Sequence, residues 1–319
     1  MMDRIASYTA AETYPVKTLR HPGTVDCEGR IRPIHPQINP TNNCNLNCPF
    51  CSCSERDRGA EIPWQEMQEM LRLYAGLGAR ALTITGGGEP LLYSHINETV
   101  GCADKLGMES GLVTNGTLFD RLESVPATWI RVSVSGDRAL GSAFFSTLDD
   151  AVRRMPDVDW AFSYIATREP DADKLRRVLA FANDHCFTHV RVVADILDHA
   201  AVPLAKLRET VAGDPGEPLA IWQDRNSPTR GRKECRISLL KPVVSADGLL
   251  YPCCGVQYAQ TTPGRDYVKE MSMGTWRNAE NIFRRQAAFD GSRCNVCYYE
   301  SYNSLLSVMV RTIDHRNFV

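Results

Sequence analysis

No apolar run in this chain reaches the roughly 18 residues that a membrane helix needs. The N-terminus, MMDRIASYTAAETYPVK, has no apolar stretch after its first charge, so no secretory signal is expected either. An excess of one charge sign is also missing. Lys and Arg number 36 against 38 Asp and Glu, a formal charge of −2, which argues against a general nucleic-acid or membrane-surface protein. Internal repeats and low-complexity tracts are absent. Hydrophobic residues make up 43% of the chain, enough for a sizeable core, which excludes global disorder. The 319 residues amount to about two ordinary domains, although a single α/β barrel absorbs most of that length. What the sequence does have is cysteine, twelve in all. Without an export signal a disulfide scaffold is not expected. The expectation is a cytoplasmic, reducing setting in which clustered thiols hold metal.

Residues 1–35, with Pro15, Pro22 and Pro33 and little periodicity, read as an extended N-terminal arm. From 36 to 223, short β-branched runs alternate with amphipathic stretches. Strands are expected at Ala81–Thr85, Gly111–Thr114, Ile130–Ser135, Trp160–Ala166 and Val190–Ile196. Trp64, Met67, Leu71 and Tyr74 recur at helical spacing after Pro63, which suits a first turn. Asp171 caps a further helix that carries Leu175, Val178, Leu179 and Ala182 on one face. Strand–helix alternation implies a parallel sheet with helices outside, and six units are too few for a closed eight-fold barrel. The polar stretch 224–234, with Arg225, Arg230, Arg232 and Lys233, reads as a basic linker, and Arg236 follows just beyond it. A solvated loop is its simplest role; facing a site, it suits a phosphate, carboxylate or nucleotide. Residues 235–319 form a small region of different character. A hairpin turns at Asp247-Gly248 and helices are expected at Thr275–Phe289 and Tyr299–Thr312. So small a unit has a thin core, and a metal site is a usual remedy.

Cys44, Cys48 and Cys51 stand with three and two residues between them, on a loop after the first strand, the end where α/β sheets and barrels place their chemistry. Three close thiolates can bind three irons of a cubane and leave the fourth open to a small molecule. Structural zinc with Cys53 as a fourth ligand is the alternative, although zinc favours paired cysteines. A second signature, Gly86-Gly87-Gly88-Glu89-Pro90, follows the second strand. A glycine-rich loop lets backbone approach a ligand, and Glu89 can pair with an ammonium.

CNLNCPFC, with Phe50 before its last cysteine, resembles the cluster motif of radical S-adenosylmethionine enzymes. GGGEP resembles their glycine-rich motif, and the resemblance covers about residues 36–223. It implies a partial (β/α)6 barrel in which Cys44, Cys48 and Cys51 hold a [4Fe–4S] cluster whose open iron chelates S-adenosylmethionine. Gly86, Gly87, Gly88, Glu89 and Pro90 would contact the methionine end. Asn115, in a segment resembling the third-strand ending, and Ser133, Ser135 and Ser163 on the fourth and fifth strands would make polar contacts to the cofactor. A buried serine can equally be satisfied by backbone. A 5′-deoxyadenosyl radical then removes hydrogen from a substrate, with electrons from a flavodoxin- or ferredoxin-type donor.

Cys235, Cys253, Cys294 and Cys297 form the second group, with gaps of seventeen, forty and two residues. Zinc would suffice to staple such a unit. The tail resembles the Twitch domain, a short relative of the SPASM extension, and its spacing is similar to that of 2-deoxy-scyllo-inosamine dehydrogenases, which oxidise an aminocyclitol alcohol. That implies one auxiliary [4Fe–4S] cluster acting as electron acceptor. The implied reaction is dehydrogenation of a polar small molecule such as a sugar or aminocyclitol. Cys254 stays open as substitute ligand, packed thiol or hydrogen donor; the last would make the enzyme a redox-neutral epimerase. A peptide- or nucleotide-modifying enzyme and a zinc-stapled binding protein are the other readings.

Overall fold

The computed structural model describes residues 10–135, 140–223, 229–258 and 270–311. Its frame is an open nine-stranded sheet: β1 Gln37–Ile38, β2 Ala81–Ile84, β3 Glu109–Thr114, β4 Trp129–Ser135, β5 Asp159–Ala166, β6 His189–Ala194, β7 Ala220–Gln223, β8 Val243–Val244 and β9 Leu250–Tyr251. The order is β7-β6-β5-β4-β3-β2-β1-β8-β9. Every neighbouring pair is parallel except β8 and β9. The expected α/β class and partial barrel are what the structure has; beyond the six repeats read from the pattern, β7 and β8 add a parallel strand at either side.

Side chains alternate between the two faces of each strand, so register sorts them. Ile84, Leu112, Ile130, Val132, Phe162, Val190 and Val192 share the outer face, all buried beneath helices. The helix Trp64–Leu77 supplies Met67, Met70, Leu71 and Tyr74 to that layer, each wholly buried, which contributes about 1.5–3 kcal/mol per side chain. It stops at Gly78, whose φ of +104° suits glycine. The inner face is different in kind. Thr83, Gly111, Arg131, Ser133, Ser163, His189 and Arg191 lie on it by register. Gly111 is required there, because a Cβ would come within 2.0 Å of the Trp129 ring that crosses it from β4.

Residues Ala10–Arg20 are a helix and not an extended arm, in spite of Pro15. Proline forfeits one backbone donor; packing outweighs that loss, since the Tyr14 ring lies 4.4 Å from that of Tyr302 on the helix Glu300–Met309. The C-terminal hairpin does turn at Asp247-Gly248, with Gly248 at φ +77°. It also extends the barrel's own sheet, because β8 pairs with β1, Gln37 against Val243. The helix expected at Thr275–Phe289 is a short 3₁₀ turn, Trp276–Asn278, followed by Ala279–Arg285, and Gln286 ends it with φ +52°. That glutamine is held by Ile31, whose N–H donates to Oε1 (2.7 Å) while Nε2 donates to its carbonyl (3.0 Å). The last helix ends at Met309, three residues short of the expected Thr312, which lies outside the described residues. Within the linker, 224–228 also lie outside them. No helix among the described residues is long and apolar enough to cross a membrane.

Asp171 caps the helix Ala172–Asp184, its carboxylate accepting from the Lys174 N–H at 2.9 Å. Asp171→Ala is expected to lower stability by about 1 kcal/mol in urea unfolding; an unchanged midpoint would show the cap to be idle.

Candidate functional site

The loops that follow β1, β2 and β3 meet at one end of the sheet. The β1 loop carries Cys44, Cys48 and Cys51, all half-buried, between the exposed Asn43, Asn45 and Asn47. The β2 loop is Gly86–Glu89. These two are zipped together by main chain: the Gly88 N–H donates to the Thr41 carbonyl (3.0 Å) and the Glu89 N–H to the Asn43 carbonyl (2.7 Å). The approach is too close for side chains. A Cβ at Gly87 would sit 2.0 Å from Asn42 Oδ1, and one at Gly88 2.0 Å from the Asn43 carbonyl oxygen. At Gly86 it would strike the Gly88 carbonyl oxygen at 2.1 Å. Gly87 and Gly88 are therefore fixed by contact with the cysteine loop, and Gly86 by the tight turn of its own loop.

Glu89 is buried. Its Oε1 accepts from Thr114 Oγ1 (2.6 Å) and the Leu91 N–H (3.0 Å), its Oε2 from the Asn115 N–H (2.7 Å). The carboxylate expected to meet an ammonium thus braces the end of β3 as well. Pro90 opens the 3₁₀ turn Pro90–Leu92 that Glu89 caps.

Asn115 also joins β3 to the cysteine loop. Its Nδ2 donates to Asn45 Oδ1 (2.9 Å), Asn45 Nδ2 donates to Thr117 Oγ1 (2.8 Å), and Thr117 Oγ1 donates back to Asn115 Oδ1 (2.6 Å). Asn45 and Thr117 were not singled out in the sequence, though the run Asn42-Asn43-Cys44-Asn45-Leu46-Asn47 is a visible concentration of amides. Arg56 was missed outright. Its Nε donates to the Asn42 carbonyl (2.8 Å) and its Nη1 to Cys51 Sγ (3.5 Å) and to the Cys53 carbonyl. A hydrogen bond from the Cys53 thiol, then the Arg56 guanidinium, hold Cys51 down at about 5, while Cys53 is pushed well up. Three thiols, one already favouring the thiolate, with an N–H donor to sulfur and a cradle for a ligand beside them, suit a thiolate-held iron–sulfur group.

Ser133 and Ser163 are register partners, and Ser135 follows two positions on. Ser163 accepts from Arg191 Nη2 at 3.1 Å, so its hydroxyl serves a side chain.

Across the sheet, beyond β8, one pocket is lined by Cys235, Cys253, Cys294 and Cys297 together with Gly255, Tyr299 and Asn303. Isolated backbone bridges bring these segments together, Cys235 with Phe289 and Cys297 with Thr229. Gly231 and Gly291 admit the close packing; a Cβ on Gly231 would lie 2.0 Å from the Gly291 carbonyl oxygen. Burial and then the neighbouring thiols push Cys235 up to about 12 and Cys294 up to about 11. Burial likewise raises Cys253 and Cys297. Among the described residues no three Cys, His, Asp or Glu side chains surround a single point as ligands of one metal ion would. A zinc ion needs its sulfurs about 3.8 Å apart, whereas a cubane takes each thiolate at a separate iron. The four thiols line one pocket, and a metal centre bound there would replace their protons. Cys254 Sγ lies 2.8 Å from the Oη of Tyr299, which lines the same pocket. The linker's Arg232 is engaged by Glu300 and by Ser304 Oγ at 3.0 Å, and Arg236 pairs with Glu234.

Glu89→Gln turns one acceptor into a donor facing Thr114 or the Asn115 N–H. It is expected to cost about 1–3 kcal/mol in urea unfolding; a wild-type midpoint would mean that the brace is dispensable.

Residues 38–162 match the family model of the Radical SAM superfamily. Among curated relatives, a probable GTP 3′,8-cyclase of Methanocella arvoryzae is 35% identical over 116 residues, 35% of this chain and 37% of that protein. An S-adenosylmethionine-dependent nucleotide dehydratase of Lacinutrix mariniflava is 29% identical over 136 residues, 35% of this chain and 28% of its own length. The chain thus spans well under half the length of these relatives. Among solved structures, Streptococcus suis SuiB bound to the precursor peptide SuiA superimposes with a TM-score of 0.58 at 14% identity, covering 85% of this chain and 72% of SuiB.

Proposed function

Starting from a chain that carries a radical SAM domain across residues 38–162, we propose an enzyme that cleaves S-adenosylmethionine reductively and dehydrogenates a polar small molecule. The observation that carries this reading is the zipper between the cysteine loop and Gly86–Glu89, with three thiols at the strand ends beside a main-chain cradle. Cys44, Cys48 and Cys51 would hold a [4Fe–4S] cluster there, and Cys235, Cys253, Cys294 and Cys297 an auxiliary one in a Twitch-like region. Bound at these sites, the clusters would supply an electron to the sulfonium and a destination for the electron that leaves the substrate.

This chain's residues supply position and polarity. Arg56 aims an N–H at Cys51 and fixes the loop backbone through Asn42. Gly86–Gly88 present backbone to a ligand, and Glu89 and Asn115 keep that backbone in register with β3. Among the described residues, Asn303 Nδ2 faces Cys297 Sγ at 3.9 Å in the second pocket. A donor protein of flavodoxin or ferredoxin type would supply reducing electrons. The named activities of the relatives differ from one another, so they leave the reaction open.

One observation favours a second outcome. Cys254 is not among the four thiols that line the second pocket, although it adjoins Cys253 and contacts Tyr299 Oη there; as a fifth thiol at that site it would serve as a hydrogen donor in a redox-neutral epimerisation.

Anaerobically purified protein should contain about eight irons per chain and absorb broadly in the visible. With reductant and S-adenosylmethionine it should form 5′-deoxyadenosine, and Cys48→Ala should abolish that product. Colourless zinc protein, or product formation by Cys48→Ala, would overturn the reading. Once a substrate is in hand, turnover in deuterated solvent separates the outcomes. Deuterium in the product that is lost in Cys254→Ala marks epimerisation; a product two electrons more oxidised and free of solvent deuterium marks dehydrogenation.

A further inference from the structure

The chain turns back on itself directly after Cys51. The Ser54 N–H donates to the Cys51 carbonyl (3.2 Å), the Arg56 N–H to the Cys53 carbonyl (3.3 Å) and the Ala60 N–H to the Asp57 carbonyl (3.2 Å), which folds residues 51–60 into a return loop. Its far limb runs antiparallel to the chain leaving β1. Glu61 bridges Thr41, the Asn42 N–H donates to the Ala60 carbonyl (2.9 Å), and the Ile62 N–H donates to the Pro40 carbonyl (2.9 Å). Ser54, Glu55, Asp57, Arg58 and Gly59 are exposed, and Arg56 in their midst is half-buried. Its stem lies along the glycine loop, so that a Cβ on Gly87 would come within 3.4 Å of Arg56 Cδ. Its head grips the cysteine loop: Nε donates to the Asn42 carbonyl (2.8 Å), and Nη1 to Cys51 Sγ (3.5 Å) and to the Cys53 carbonyl. One rigid, planar fork thus serves two carbonyls and a sulfur, a task a lysine cannot match. Arg58 holds the same loop at another point, its Nη2 donating to Asn47 Oδ1 at 2.8 Å. Arg58 therefore grips an amide, and Arg56 a thiol.

Hydrogen bonds to sulfur and net charge set the reduction potential of a thiolate-held cluster. An added electron makes such a group more negative, so a cationic donor at one of its sulfurs favours the reduced form. We propose that Arg56 is a positioning residue for the first iron–sulfur group: its N–H on Cys51 Sγ raises the reduction potential of a cluster held by Cys44, Cys48 and Cys51. This inference rests on the reading above that these thiols hold such a cluster. The Asn42 carbonyl fixes the guanidinium to the segment that meets the glycine loop, so the donor and the cradle keep one geometry. With Arg56 in place, a donor protein of given potential keeps more of the site reduced.

The test uses iron-loaded holoenzyme poised anaerobically with redox mediators. The first cluster is recognised as the one whose reduced paramagnetic signal shifts when S-adenosylmethionine is added. In Arg56→Gln its ratio of reduced to oxidised form at a fixed potential should fall roughly tenfold, a drop of about 59 mV for one electron. Arg58→Gln should leave that ratio unchanged, and the second cluster should keep its potential in both variants. Wild-type protein carrying nitrogen-15 only in its arginines gives a readout that no folding or loading defect can obscure. Pulsed paramagnetic resonance of its reduced first cluster should show a weak coupling to guanidinium nitrogen, and Arg56→Lys should lose it. A wild-type ratio in iron-loaded Arg56→Gln, an equal fall in Arg58→Gln, or no such coupling in the wild type would overturn the inference, even with the signal still responding to the sulfonium. Failure of the underlying reading is distinct: the protein would then lack the first cluster, or its signal would ignore S-adenosylmethionine, and the inference would fall with it.

Discussion

Two backbone hydrogen bonds, from Gly88 to Thr41 and from Glu89 to Asn43, hold the rest of the candidate site in place. They press a glycine loop onto the loop that bears three cysteines, at a separation that excludes side chains. Once that contact is made, Glu89 is buried and must find partners. It finds them in Thr114 and Asn115, which fixes the end of β3 relative to β2. Asn115 then reaches Asn45 and closes a circuit through three loops. Positions along β4, β5 and β6 follow by register. A ligand held at the cradle, as proposed, would be oriented against the strand ends, the kind of arrangement that proximity in catalysis requires.

The second thiol group depends on a different constraint. Its pocket is assembled from segments that hold little regular structure of their own, and the thiols there are kept protonated by burial and by one another. Such a unit relies on neighbours. Here β8 borrows a partner from β1, Gln286 brackets Ile31, and Trp276 donates to Glu66 Oε2 at 3.0 Å. The C-terminal region is consequently continuous with the barrel through its sheet, and an electron path between the two thiol groups would cross that shared edge.

Much of this was legible in the sequence because it rests on local chemistry. Period-two apolar runs gave β2 to β6, the Asp171 cap and the Trp64–Leu77 helix followed from residue type and spacing, and both cysteine groups and the glycine loop stood out as strings. What failed to show was carried by distant contacts. Pro15 suggested an irregular arm, whereas the helix there packs on the ring of Tyr302, far along the chain. Arg56 looks like any surface arginine until the loop folds back on Asn42. Arg131 on β4 and His189 and Arg191 on β6 alternate with apolar residues, and that they share one face is visible only once parallel register is known.

The central claim is that the N-terminal thiols leave one metal position to a small molecule. Electron paramagnetic resonance of the dithionite-reduced protein addresses it most directly, before and after S-adenosylmethionine is added, in wild-type protein and in a Cys253→Ala, Cys294→Ala background that retains a single cluster. The account predicts that the reduced [4Fe–4S] signal shifts on addition of the sulfonium in both proteins. A signal indifferent to it would contradict the account.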